Sequence, residues 1–320
     1  MAEDSLFNLF SANIGLYRKE YSGKFICPLC LRAFESCNIR SELTRAHIVP
    51  RSLGGHQVTL TCRQCNNTVG TTIESCEAER FTFYKAFSGD SSERVRISYT
   101  FTDKQGESKS FQAEMNAEGE SKLRSWILPQ ASNPKVIQTF TDMLVNGKDL
   151  EEINILGQVT KSQKRANLTY LHAAFLLLFH EFGYEWALNP SAQIIREQIL
   201  NPDANLIFLP SPKFSNLNLP LDQATLCLVT HPVEFRSFLV VLPQIYSLES
   251  RYGVWIPLFG CPYDPPPADK SVKLNMVQVP DHHHRLNRRD SIMQGLRYIL
   301  IHFDYDPILY KGCNWFEIYG

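Results

Sequence analysis

A chain of 320 residues with 44% hydrophobic and 20% charged side chains lies near the globular average. That excludes a largely disordered or fibrous chain, and the length suits one large domain or two ordinary ones. The net charge of −1 and pI of about 6.8 exclude a globally basic nucleic-acid binder but leave room for a local basic face.

In chain order, residues 5–20 read as a short helix. Leu6, Phe7, Leu9, Phe10, Ile14 and Leu16 are its apolar positions, and Ser5 is a candidate N-cap. The opening MAEDSLFNLF carries acids and lacks the positive region and apolar run of a secretory signal. Residues 23–80 are rich in cysteine. The loop signal SGDSS at 88–92 sets the expected boundary between a domain at 1–90 and one at 91–320. Alternation from Arg94 to Thr102, the turn Asp103-Lys104-Gln105-Gly106 and a return from Ser108 to Met115 predict a hairpin. An amphipathic helix is predicted at 135–146. A long helix at 166–188 is apolar nearly all round and so predicted to be buried. Its most apolar stretch, Tyr170 to Phe179, is far shorter than the roughly 20 residues a membrane span needs. A short helix is predicted at 191–200, with strands at 206–209, 225–230, 238–242 and 254–259. A proline-rich loop at 262–267 and a helix at 290–302 follow. The mixed order predicts an α+β fold. With no span and no leader, the expected location is cytoplasmic, where cysteines serve as thiols or metal ligands rather than disulfides.

Cys27-Pro28-Leu29-Cys30 and Cys62-Arg63-Gln64-Cys65 are two CxxC turns within 40 residues. Each presents a pair of sulfurs, and two such turns complete a tetrahedron, the spacing of a four-thiolate zinc site. Buried structural thiols or a redox dithiol are the alternatives, but a redox CxxC needs no second copy. A closed four-sulfur site has no open position, so Zn2+ there is structural, stapling a segment poor in large apolar residues. Cys37 and Cys76 lack a partner at ligand spacing. Cys227 lies in an apolar strand, and Cys261 and Cys313 carry no partner signal.

Between the two turns runs Ala46-His47-Ile48-Val49-Pro50-Arg51-Ser52-Leu53-Gly54-Gly55, and after the second comes Asn66-Asn67-Thr68-Val69-Gly70. The string CPLC…AHIVPRSLGG…LTCRQCNNTVG resembles the HNH endonuclease family with its ββα-metal fold, over about residues 23–80. The resemblance implies that His47 is the general base that takes a proton from water, which then attacks a phosphodiester. It implies that Asn66 holds one catalytic divalent ion, Mg2+ or Mn2+, which stabilises the scissile phosphate and the leaving oxygen. It also implies 5′-phosphate and 3′-hydroxyl products and a setting in prokaryotic or phage defence. The residues suit these roles, since imidazole titrates near neutrality and an amide oxygen suits a hard ion. The sequence departs from the family pattern at three positions. Ala46 stands where many members place an acid, although an Ala-His-Ile form occurs. Gln57, beside His56, stands for the middle Asn, and its amide is assigned to the loop that orients His47. Gly70 stands where a further histidine often lies. Glu42, His56, Asn67 and Glu74 are the candidates to complete the metal shell.

From Leu16 to Asn66 there are eight Lys/Arg against three Glu, an excess of five in an otherwise neutral chain. Phosphate neutralisation needs such a face. Arg51, Arg63 and Arg45 are the candidate nucleic-acid contacts, with DNA the expected partner and RNA the alternative. The run Asp281-His282-His283-His284, followed by Arg285, Arg288 and Arg289, reads as a basic loop or rim, because consecutive strand residues face opposite ways. His172 and His180 on the long helix read as core histidines, and Trp186, Trp255 and Trp315 as packing residues. Residues 91–320 carry no catalytic signature. Target recognition, small-ligand sensing and docking to a regulatory partner protein or a second copy are the uses considered. A silent zinc module that binds nucleic acid and a ligand-gated nuclease are the alternative functions.

Overall fold

The computed structural model describes residues 3–36, 39–88, 94–103, 106–118, 122–146, 150–157, 162–207, 213–215, 219–231, 237–243, 245, 250–259 and 275–279. Helices and antiparallel sheets are mixed along the chain, an α+β composition. The contacts divide it into two compact units, one formed by residues 1–77 and 163–320, the other by 78–162. The sequence reading places one boundary at 90; the contacts place two, at 77 and 162. Burial accounts for the difference, because helices beyond 162 cover the cysteine segment.

The first unit opens with α1 (Glu3–Gly15), which buries Leu6, Phe7, Phe10 and Ile14. Ser5 lies inside its first turn rather than capping it, and the helix ends short of residue 20, where Lys19–Tyr21 forms a separate 3-10 turn. Strand β1 (Phe25–Ile26) pairs with β2 (Ala33–Phe34). A single turn, α2 (Ile39–Glu42), leads into β3 (Leu43–His47), which pairs antiparallel with β4 (Val58–Cys62). Helix α3 (Arg63–Val69) follows directly. It widens into a π-helical turn at Gly70–Glu74 and continues as α4 (Ser75–Ser88).

The second unit contains a four-stranded antiparallel sheet in the order β7-β6-β5-β8. Its strands are β5 (Val95–Asp103), β6 (Ser108–Glu118), β7 (Lys122–Ile127) and β8 (Leu150–Gly157). The predicted hairpin is β5–β6, with Val95 opposite Met115. Period-two alternation puts Val95, Ile97 and Phe101 into the core beside Phe111, Ala113 and Met115. Phe140 of α5 (Pro134–Asn146), the predicted amphipathic helix, joins them with its ring centroid 4.8 Å from that of Phe111.

The rest of the first unit begins with α6 (Gln163–Phe182), buried at every position from Leu168 to Phe179. The predicted single helix to 188 breaks at Gly183, whose φ of 57° and ψ of −133° suit glycine. Two helices follow, α7 (Tyr184–Ala187) and α8 (Pro190–Leu200). Asn189 caps α8 through Oδ1, which accepts from Ser191 N at 2.9 Å. A five-stranded antiparallel sheet has the order β13-β10-β11-β12-β9. It is built from β9 (Lys213–Ser215), β10 (Thr225–His231), β11 (Ser237–Val241), β12 (Ser250–Ile256) and β13 (Asn275–Gln278). The strands predicted at 225–230 and 238–242 correspond to β10 and β11, whereas the one at 254–259 begins earlier and stops at Ile256. Leu206 and Ile207 are bends, not strand. Cys227 is buried in β10, where desolvation pushes its thiol up to about 11. Trp186 and Trp255 are buried, as packing residues are. Cys37, Cys261, Cys313, Trp315, the histidine run at 281–284, its following arginines, the loop at 262–267 and the helix at 290–302 lie outside the described residues. No helix among the described residues is long and apolar enough to cross a membrane.

Candidate metal centre and histidine site

The two CxxC turns converge. The sulfurs of Cys27, Cys30, Cys62 and Cys65 all lie within 4.8 Å of one another, and those of Cys30 and Cys62 are 3.8 Å apart. Tetrahedral thiolate coordination at a Zn–S length of about 2.3 Å requires S···S edges of about 3.8 Å. The first turn closes through Leu31 N, which donates to Cys27 O at 2.9 Å, with Leu31 in the left-handed region at φ 57°. The second is the start of α3, where the Cys62 sulfur accepts from Cys65 N at 3.4 Å. Cys27 Sγ accepts from Cys62 N at 3.5 Å, and Arg32 donates to Cys62 Sγ at 3.9 Å. Such N–H···S contacts favour thiolates. Hydrogen bonds from Cys27, Cys62 and Cys65 hold Cys30 far below the ordinary thiol value. Burial raises Cys27. Four sulfurs this close together can hold a cation such as zinc. A structural zinc contributes on the order of 10 kcal/mol or more. That far exceeds what the two-residue strands β1 and β2 can add.

Residues more than 150 positions away clamp the first turn. The Tyr184 hydroxyl accepts from Ile26 N at 2.7 Å and donates to Ile26 O at 2.6 Å, both immediately before Cys27. Arg196 of α8 donates to Pro28 O at 3.4 Å and to Ala187 O at 2.7 Å. Phe10 stacks on Phe179 of α6 with centroids 4.4 Å apart, and Phe25 lies 6.1 Å from Phe10. The cysteine segment thus buries its apolar side against α1, α6 and α7.

His47 closes β3, half-buried, opposite Val58. Beyond it the ladder continues through Ile48 N, which donates to Gln57 O at 2.9 Å. The chain reverses at Gly54, with φ at 86°, and at Gly55, where a Cβ would fall 1.9 Å from Val49 O. Only glycine fits there, so the Gly-Gly pair is what allows His47 and β4 to share one hairpin. The His47 imidazole is shifted below the ordinary 6.5. Burial is the largest cause, followed by the charges of Arg51 and Arg45, while Glu74 opposes them. A depressed value keeps the ring neutral at neutral pH and able to accept a proton.

The remaining predicted residues divide. Asn66 lies on the first turn of α3, next to Cys65, half-buried. Arg45 and Arg51 are exposed and close enough to His47 to act on it electrostatically. Arg63, read as a phosphate contact, donates instead to the carbonyls of Ser41, Arg40 and Leu43 at 3.2–3.3 Å, tying α3 to the entry of β3. Gln57, assigned to orient the His47 loop through its amide, accepts from Ile48 N at its backbone carbonyl. Its side-chain oxygen accepts from Ala224 N at 3.1 Å.

Glu74 and His172 were less visible in the sequence. Asn66, Gly70 and Glu74 are four apart, a spacing that places all three along one face of a helix. Glu74 Oε2 comes within 3.9 Å of where a Cβ on Gly70 would be, and its Oε1 lies 3.1 Å from His172 Nδ1. His172 is 1% exposed, and among the described residues its Nε2 has no hydrogen-bond partner. No family model, no curated protein and no solved structure matches this chain.

Proposed function

We propose that the chain is a metal-dependent endonuclease of HNH type that hydrolyses phosphodiester bonds in DNA. The observation that carries this reading is one continuous path. A hairpin ends β3 on a histidine, returns through a Gly-Gly turn to the second cysteine pair, and enters the helix bearing Asn66. The four cysteines would hold structural zinc, which fits their spacing and leaves no open position. Asn66 offers an amide oxygen suited to Mg2+ or Mn2+, which when bound would stabilise charge developing on the scissile phosphate. His47, held neutral, takes a proton from the attacking water. Arg45 and Arg51 meet the phosphate backbone of the substrate and position it.

Plasmid nicking by the purified protein in Mg2+, Mn2+ or EDTA, beside His47→Ala, tests the reading. Metal-dependent nicking that falls by roughly 100-fold or more in the variant is expected for loss of a general base, with zinc content near one per chain in both. Nicking that survives in His47→Ala would sink the assignment. DNA binding with no cutting by the wild type would favour a silent zinc module, and cutting of RNA alone would change the substrate.

A further inference from the structure

Glu74 is a long side chain on a helix that begins at the second cysteine pair, and side chains on helices lean back toward the N-terminus. Leaning back from Glu74 carries the carboxylate over Gly70 and toward Asn66, and its Oε2 lies 3.9 Å from where a Gly70 side chain would start. Gly70 is therefore the open space the carboxylate reaches into. The turn between them is π-helical, a local widening that recurs at functional sites and here separates Glu74 from an ordinary helical position.

The carboxylate is aimed from behind. His172 on α6, 1% exposed, faces Glu74 Oε1 through Nδ1 at 3.1 Å. One helical turn of contacts frames the pair. Thr169 donates to Ile73 O at 3.3 Å, and Tyr170 hydrogen-bonds Glu77. The Glu74 side chain is 21% exposed, with Oε1 on the buried His172 imidazole and Oε2 in the space beside Gly70. His47 lies within the electrostatic reach of this carboxylate. A carboxylate with one oxygen held by a buried imidazole is the arrangement a ligand carboxylate takes when an outer partner orients it.

We propose that Glu74 supplies the carboxylate ligand of the divalent ion that Asn66 also holds, and that His172 is the positioning residue that aims it. The proposal rests on the endonuclease reading. It makes α6, which the sequence assigns to a separate domain, part of the active site, and it fills the gap left by Ala46 and Gly70.

Mn2+ binding to the full-length, zinc-loaded chain, followed by electron paramagnetic resonance or calorimetry, tests it without relying on activity. Glu74→Gln is expected to weaken Mn2+ by more than about tenfold, with zinc content and thermal unfolding preserved. Glu74→Asp keeps the charge but withdraws the carboxylate, and it is expected to weaken Mn2+ even if the Gln variant fails to fold. His172→Leu should weaken Mn2+ by about tenfold, the usual loss for an outer partner. His172→Gln, which can still donate to Glu74, should recover part of it. Unchanged Mn2+ affinity in both Glu74 variants, alongside a loss in Asn66→Ala, would overturn the proposal and leave the endonuclease reading standing. A wild type that neither binds Mn2+ nor cuts DNA would overturn both.

Discussion

At the scale of single residues, burial first and neighbouring charge second decide how His47 behaves. Burial and two arginines lower its proton affinity, so its neutral form extends to more acidic pH than that of a free imidazole. A general base works only when deprotonated. On the endonuclease reading, cutting is therefore expected to hold at neutrality and to fall, about tenfold per pH unit, only at more acidic pH than a free imidazole would give, as His47 gains its proton. In Arg51→Ala one of the opposing charges is gone, and the inflection should move upward. Single-turnover rates across pH would show it, and an inflection unmoved by the Arg51 change would remove that arginine from the site. The Cys27, Cys30, Cys62, Cys65 cluster was legible because CxxC is a local signal whose spacing already fixes geometry. The assignments of Arg63 and Gln57 were legible only as residue types. Which acceptors a guanidinium or an amide finds depends on carbonyls that other strands bring to it, and no spacing in the sequence encodes that.

At the scale of elements, periodicity carried the β5–β6 hairpin, α5 and the buried character of α6. The hairpin and α5 have a strong repeat over ten or so residues, and α6 is apolar nearly all round. The strands β7, β8, β9 and β13 carried weaker signals and were not anticipated, nor was the break at Gly183. The clamp that α7 places on the first cysteine turn is a second kind of hidden feature, since Tyr184 and Ile26 are 158 positions apart. Tyr184→Phe keeps the ring contacts with Phe10 and Phe179 but strips the partner from a buried N–H and C=O. The cost should be about 1–3 kcal/mol. A lower denaturation midpoint and faster loss of zinc to a chromogenic chelator would report it. An unchanged midpoint would mean that the hydroxyl contributes nothing to the hold on the turn.

At the scale of the whole molecule, the cysteine segment and the helices beyond 162 form one unit although the sequence separates them. SGDSS at 88–92 is a sound loop signal, but a loop is not a division between cores. Part of the apolar face of residues 1–77 is covered by Phe179 and Tyr184, which pack on Phe10 and come later in the chain. Residues 1–90 expressed alone with zinc are therefore expected to show no cooperative thermal transition and to expose apolar surface. Calorimetry on that fragment would decide the point, and a sharp transition would restore the simpler two-domain arrangement.

The clamp on the cysteine turn also has a consequence for synthesis. Cys65 leaves the ribosome about 120 residues before Tyr184, and at about 5–20 residues per second this amounts to about 6–24 s. For that interval all four thiols exist without the helices that later bury them. The zinc proposed for this site, arriving during this window, would shield neighbouring cysteines from oxidation before their cover is made. On that proposal, the yield of mature protein follows the free zinc and redox poise during translation.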